Sequence, residues 1–190
     1  MSSKNLKFKI GFWHPFGPHA GETHEEIIIR KRDEIKKNGW TLWSFQFRNT
    51  LNLWYQEIQK NKPNNVLVFC SQGKGARDPI SKCKKCDYFI PINKNKKVKI
   101  PATIEIPHPM GQKTQASAFI VKNIIYPADY KITKIRWFKD KKWQTKPLPT
   151  RSEYLIKSGN GKPMRSIRAI LELKYPYLAE VGVNKTPSKK

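Results

Sequence analysis

Residues 116–126 read Ala-Ser-Ala-Phe-Ile-Val-Lys-Asn-Ile-Ile-Tyr. Branched and aromatic side chains fill this stretch, which predicts a long strand, the strongest strand signal in the chain. Two shorter stretches upstream read the same way. Val66-Leu-Val-Phe-Cys70 is a continuous apolar run between turn residues, as a buried strand is, and residues 7–13 alternate polar and apolar side chains before His-Pro-Phe-Gly-Pro. Further strand signals lie at 40–48, 88–92 and 100–106, and residues 131–145 predict a hairpin, with Ile132, Ile135 and Trp137 on one arm, Trp143 on the other and Lys139-Asp-Lys-Lys as its turn.

Helices are announced by their ends. Thr23 and Glu26 have capping-box spacing, Ile27, Ile28 and Ile35 supply an apolar face and Gly39 a stop, so a helix is predicted over 24–38. Leu51, Trp54, Tyr55 and Ile58 form the stripe of a second, which Pro63 ends. Thr150 and Glu153 repeat the capping spacing before a short helix that Gly159 can close, and Ile167, Ile170, Leu171 and Leu173 suggest another before Pro176. The sum is an α+β chain, or a small β-barrel of about six strands with flanking short helices. It is read as one domain over 1–183, with residues 72–115 as a basic inserted loop and 184–190 as a flexible basic tail.

Charge dominates the composition. The 190 residues hold 38 Lys and Arg against 14 Asp and Glu, a formal net charge of +24. The excess is spread along the chain, with 11 basic and 6 acidic residues in 1–71, 11 and 4 in 72–130, and 16 and 4 in 131–190. A skewed codon usage adds lysine to solvated faces but does not remove carboxylates, so a polyanion is the expected partner, DNA or RNA above all. No basic amphipathic helix and no run near the roughly 18 apolar residues of a membrane span is present, so no membrane partner is expected. The N-terminus lacks the apolar stretch of a signal peptide, and three cysteines make an odd set, which together point to the cytoplasm or nucleoid.

Taken in order, Trp43-Ser-Phe-Gln-Phe-Arg-Asn49, the helix to Lys60, Val66 to Ser71, Ala116 to Asp129 with its Tyr126-Pro127, and Ile167 to Ala179 resemble the elements of EVE domains, members of the PUA-like superfamily related to YTH and ASCH domains. The resemblance implies a small barrel that binds RNA or a modified base in a pocket, a Trp and an Arg-Asn pair before a helix, and a late helix ending in Pro-x-Leu-Ala. It covers about half of the chain. Pro63-Asn-Asn stands where a Gly-Asp turn is usual, Cys70 where an aromatic is common, and 72–115 has no counterpart.

The candidate site follows from these readings. Trp13, His14, Trp43, Phe45, Gln46, Arg48, Asn49 and Ser71 are the candidate pocket residues, with Trp13 and Trp43 as stacking rings, and Lys74, Arg77, Lys82, Lys84 and Lys85 supply the phosphate-binding loop. Core packing is the competing role for each tryptophan, and Trp54 on the helical stripe belongs to the core. Cys83-Lys-Lys-Cys86 has the spacing for zinc, with Cys70 or a histidine completing the set, although a second Cys-x-x-Cys is missing. His14, His19 and His24, spaced by five, suit an anion better than a metal. The rival functions are a metal-dependent nuclease, built on Glu172-Leu-Lys174 with Asp129 or Asp140, and a structural protein of a nucleic-acid complex without base recognition. The chain shows no nucleophile motif, P-loop or dinucleotide fingerprint, which leans the reading away from an enzyme.

Overall fold

A computed structural model describes residues 8–45, 51–73, 83–109, 115–128, 135–139, 142–144, 154–158 and 167–184. The molecule is α+β: among the described residues two helices pack on one large, mostly antiparallel sheet. Its centre is the parallel pair β1 (Ile10–Phe16) and β3 (Leu67–Gln72), in register from Gly11 opposite Leu67 to Phe16 opposite Gln72. Parallel neighbours need a crossover, and α1 (His24–Asn38), β2 (Thr41–Phe45) and α2 (Leu51–Asn61) supply it. Gly11 lets the two strands close up, because a Cβ there would lie 2.7 Å from the Leu67 carbonyl oxygen.

The local signals for the helices hold. Thr23 accepts from the Glu26 amide, the Glu26 carboxylate accepts from the Thr23 amide at 2.8 Å, and Gly39 closes α1 at a φ of 73°. At the end of α2 the left-handed residue is Lys62, at a φ of 41°.

Much of the rest of the sheet is built on two long strands of the second half. β8 (Gln115–Ile125) pairs with β2 on one side and with β12 (Ile167–Gly182) on the other. The first part of β12 also pairs with β3, and its last part with β5 (Tyr88–Pro91), which carries β6 (Val98–Lys99). Beyond β1 lie β11 (Tyr154–Ser158) and the hairpin β9 (Ile135–Lys139) and β10 (Lys142–Gln144), which is the hairpin predicted from sequence. Among the described residues no pairing closes this sheet into a barrel.

Three expectations are corrected. The segments read as late helices are strands β11 and β12, and with the short strands β4, β6 and β7 also unforeseen the described residues hold twelve strands rather than about six. Ile167, Ala169, Leu171 and Leu173 alternate into the core, and Ile170, on the opposite face, is buried as well. Residues 100–106, read as a strand, form a loop. The basic insertion carries the strand expected at 88–92, which is β5, but holds more structure than that one strand. β4 (Cys83–Lys85) pairs with β7 (Pro107–Pro109), and the segment folds as a cover on the sheet.

That cover creates a second core. Phe119 and Val121 of β8 face an inner cluster with Phe12, Trp43, Trp54, Leu171 and both helices, whereas Ala118 and Ile120 face an outer one with Leu42, Cys86, Phe89, Ile104 and Ile106. A buried polar latch joins cover to helix. Lys31 Nζ lies 2.8 Å from Glu34 Oε2 and donates to the Glu105 carbonyl at 2.6 Å, and the Glu105 amide donates to Glu34 at 3.0 Å. Arg30 bridges Glu22 and Glu34, at 2.5 and 2.9 Å, and Thr41 donates to Glu34. Burial pulls the Lys31 ammonium down to about 8 against the opposing pull of Glu34. Burial also pushes the Glu34 carboxyl up, but Lys31, Thr41 and the Glu105 amide outweigh it and hold it below its ordinary value.

Candidate nucleic-acid interface

Alternation along β2 puts Trp43 and Phe45 on one face, and that face is the inner core. Phe45 stacks on Phe119 at 4.2 Å, and Phe16 meets the Trp43 indole edge to face at 5.3 Å. Trp43 Nε1 donates to His14 Nε2 at 3.2 Å, a bond that requires the Nε2 lone pair and so places the ring proton on Nδ1. The structure therefore brings Trp43, Phe45 and His14 together, but as packing: Trp43 is 5% exposed and His14 6%. Trp13 points to the opposite face of β1, beside Phe69 in register, and is buried as well. Ser71 is buried at the end of β3, opposite Pro15. Gln46, Arg48, Asn49, Lys74, Arg77 and Lys82 lie outside the described residues.

The cysteines divide between the two cores. Cys70 belongs to the inner cluster and Cys86 to the outer, on opposite faces of β8, while Cys83 is half-buried on β4. Burial, reinforced by Asp87, pushes the Cys86 thiol up to about 12, and burial raises that of Cys70 as well. Among the described residues no three His, Cys, Asp or Glu side chains are grouped to hold a metal. Glu172 and Lys174 do lie on a strand, as a nuclease of the expected type would need, but Glu172 is engaged by Asn123 at 3.3 Å, and Asp129 and Asp140 fall outside the described residues.

The charges sort in an uneven way. Most of the described carboxylates serve the fold: Glu22 and Glu34 hold the latch, Glu26 caps α1, Glu25 accepts from the Tyr126 hydroxyl at 3.2 Å, and Asp87 accepts from the Asn184 amide at 3.0 Å. Arg30, Lys31 and Lys85 are the only basic side chains in ion pairs among the described residues. Lys84, Lys94, Lys96, Lys97 and Lys99 on the cover, Lys60 and Lys62 at the end of α2, and Lys174 on β12 are all exposed and pair with no carboxylate there.

A cluster that sequence reading missed sits among these lysines. Against β8, Leu173 is opposite Val121 and Leu178 opposite Phe119, so Lys174-Tyr-Pro-Tyr177 stands across from Ile120 alone and bulges out. Tyr177 carries the strain, with a φ of 75° that few bulky residues adopt. Tyr175 is 57% exposed, yet its hydroxyl is fixed, accepting from Asn93 Nδ2 at 3.1 Å and lying 3.3 Å from the Tyr55 hydroxyl of α2. The Tyr175 and Tyr177 rings meet at 88° with centroids 5.5 Å apart. Burial pushes the Tyr55 phenol up to about 12, whereas the bonds from Tyr55 and Asn93 and the nearby Lys94 charge lower that of Tyr175. The visible signal was a proline flanked by two tyrosines, which the sequence reading used only as a helix stop.

No protein-family model, no curated protein and no solved structure matches this chain. No helix among the described residues is long and apolar enough to cross a membrane.

Proposed function

We propose that this chain is a nucleic-acid-binding module that holds the phosphate backbone of DNA or RNA along its lysine-bearing surface. One observation carries the reading: most of the described carboxylates are drawn into caps, the latch and other hydrogen bonds, while the exposed lysines apart from Lys85 pair with no carboxylate among the described residues. A net charge of +24 repels itself in the compact state unless an anionic partner shares the surface. The order strand, helix, strand, helix, strand from β1 to β3, followed by the long antiparallel pair β8 and β12, supports a PUA-like relationship, with a barrel that is open among the described residues. Against the narrower EVE resemblance, residues 167–179 form a strand where that pattern implies a helix.

The test is a salt titration of binding to labelled single- and double-stranded DNA and RNA. Each neutralised phosphate contributes about −0.9 to the slope of log K against log salt on duplex DNA, so five contacts give roughly −4.5. Replacing Lys94 and Lys96 by alanine together flattens that slope. Absence of binding to all four ligands at low salt removes the reading.

A further inference from the structure

We propose that the corner formed by Tyr175 and Tyr177 on the β12 bulge is a stacking site for an unpaired base, so that the protein prefers single-stranded to double-stranded nucleic acid. This rests on the nucleic-acid reading above and adds to it the place and the strand state.

Four features of the corner support it. First, the exposed ring is pre-positioned: Tyr55 and Asn93 hold the Tyr175 hydroxyl while 57% of the residue faces solvent, so little rotamer freedom remains to be lost when a ligand stacks. Second, the perpendicular Tyr177 ring closes one side, giving a flat base a face to stack on and a wall to abut. Third, the backbone at Tyr177 is held at a φ of 75°, a conformation that persists only where the surroundings enforce it, here the pairing of β12 with β8 and β5 on its C-terminal side. Fourth, the surroundings suit a phosphate chain. Lys174 stands on the bulge itself, Lys94 is close enough to bias the Tyr175 phenol, and Lys96, Lys97 and Lys99 continue along the β5–β6 turn. In a duplex the base faces are covered by their neighbours, so a ring on a protein surface reaches them only in an unpaired strand. By contrast Trp43, the ring that sequence reading favoured, is packed on Phe16 and His14.

The test separates stacking from charge. Affinity is measured by fluorescence anisotropy, at about 50 mM salt, for a single strand of about 12 adenosines, for an abasic strand of the same length and charge, and for the matching duplex. Wild type binds the base-bearing strand more tightly than both others. Tyr175→Ala, which melts like wild type because the ring is mostly exposed, loses roughly 5- to 100-fold for that strand, keeps its affinity for the abasic one and keeps the salt slope. Tyr175→Phe, which retains the ring, stays within a few-fold of wild type. Equal wild-type affinity for base-bearing and abasic strands overturns the inference while leaving the charge reading intact, and so does a Tyr175→Ala protein with its full preference. Failure to bind any of the three, each prepared both as DNA and as RNA, overturns both.

Discussion

Replacing Trp43 by alanine removes an indole that is 5% exposed, packed against Phe16 at 5.3 Å and aligned in register with Phe119. Truncating a buried Trp costs about 3–5 kcal/mol, part of it for the cavity that remains. The change also deprives His14 Nε2 of the Trp43 N–H bond at 3.2 Å. For a domain of this size each kcal/mol moves the melting temperature by about 2–4 °C, so a fall of roughly 6–20 °C is expected. Trp43→Phe keeps most of the packing and loses the bond to His14, which predicts a smaller loss of about 1–2 kcal/mol. Urea denaturation gives the free energy, and the salt titration on the same proteins gives binding. The expected pattern is a large loss of stability with unchanged affinity in whatever fraction stays folded. A Trp43→Ala protein that is as stable as wild type but has lost its affinity for single strands refutes this account and returns Trp43 to the ligand.

Gly11→Ala forces a Cβ to within 2.7 Å of the Leu67 carbonyl, so β1 and β3 must separate, and urea melts should show a loss of about 1–3 kcal/mol. Lys62→Gly relieves the left-handed backbone that ends α2, and thermal melts should show a gain of about 0.5–1 kcal/mol. The Glu34 carboxyl is held below its ordinary value of 4.5 in the fold, so below pH 4.5 the unfolded chain takes up the proton first and stability falls as the pH drops towards the folded value. Denaturant midpoints measured from neutral pH downward check this, and Glu34→Gln, which leaves Lys31 buried without its carboxylate, should cost about 3–5 kcal/mol at pH 7.

Where the determinants of structure are local, the chain could be read. The limits of α1 follow from Thr23, Glu26 and Gly39, all within one turn of the ends they fix, and α2 follows from its stripe and Pro63. The sites of error share a different cause. Ile167, Ile170 and Leu171 fit a helical stripe and a strand equally well until the pairing of β12 with β3 and β8 is known, because burial on both faces, Leu171 on one and Ile170 on the other, removes the alternation that marks a strand. The outer core was hidden for a similar reason: Cys86, Phe89, Ile100, Ile104 and Ile106 are scattered over separate segments among lysines, and only the outer face of β8, with Ala118 and Ile120, makes them a cluster. The tyrosine corner depends on the register of β12 against β8, a tertiary fact that no window of sequence contains. Trp43 lies on the strand expected over 40–48, but alternation cannot say whether its face meets a cleft or a core.

The distribution of charge bears on function more firmly than its total. If the lysines helped hold the fold, they would be found against carboxylates, and three basic side chains are: Arg30 and Lys31 in the latch and Lys85 beside Glu105. The other exposed lysines of the cover and those at the end of α2 have no such partner among the described residues, and exposed positions of this kind contribute within about 0.5 kcal/mol to stability. Their mutual repulsion instead raises the energy of the compact state. Folding therefore does not account for their number. On the reading proposed above, a ligand that brings phosphates to them would relieve the repulsion and release counterions at once, so the surface that burdens the free protein would be the source of the proposed affinity.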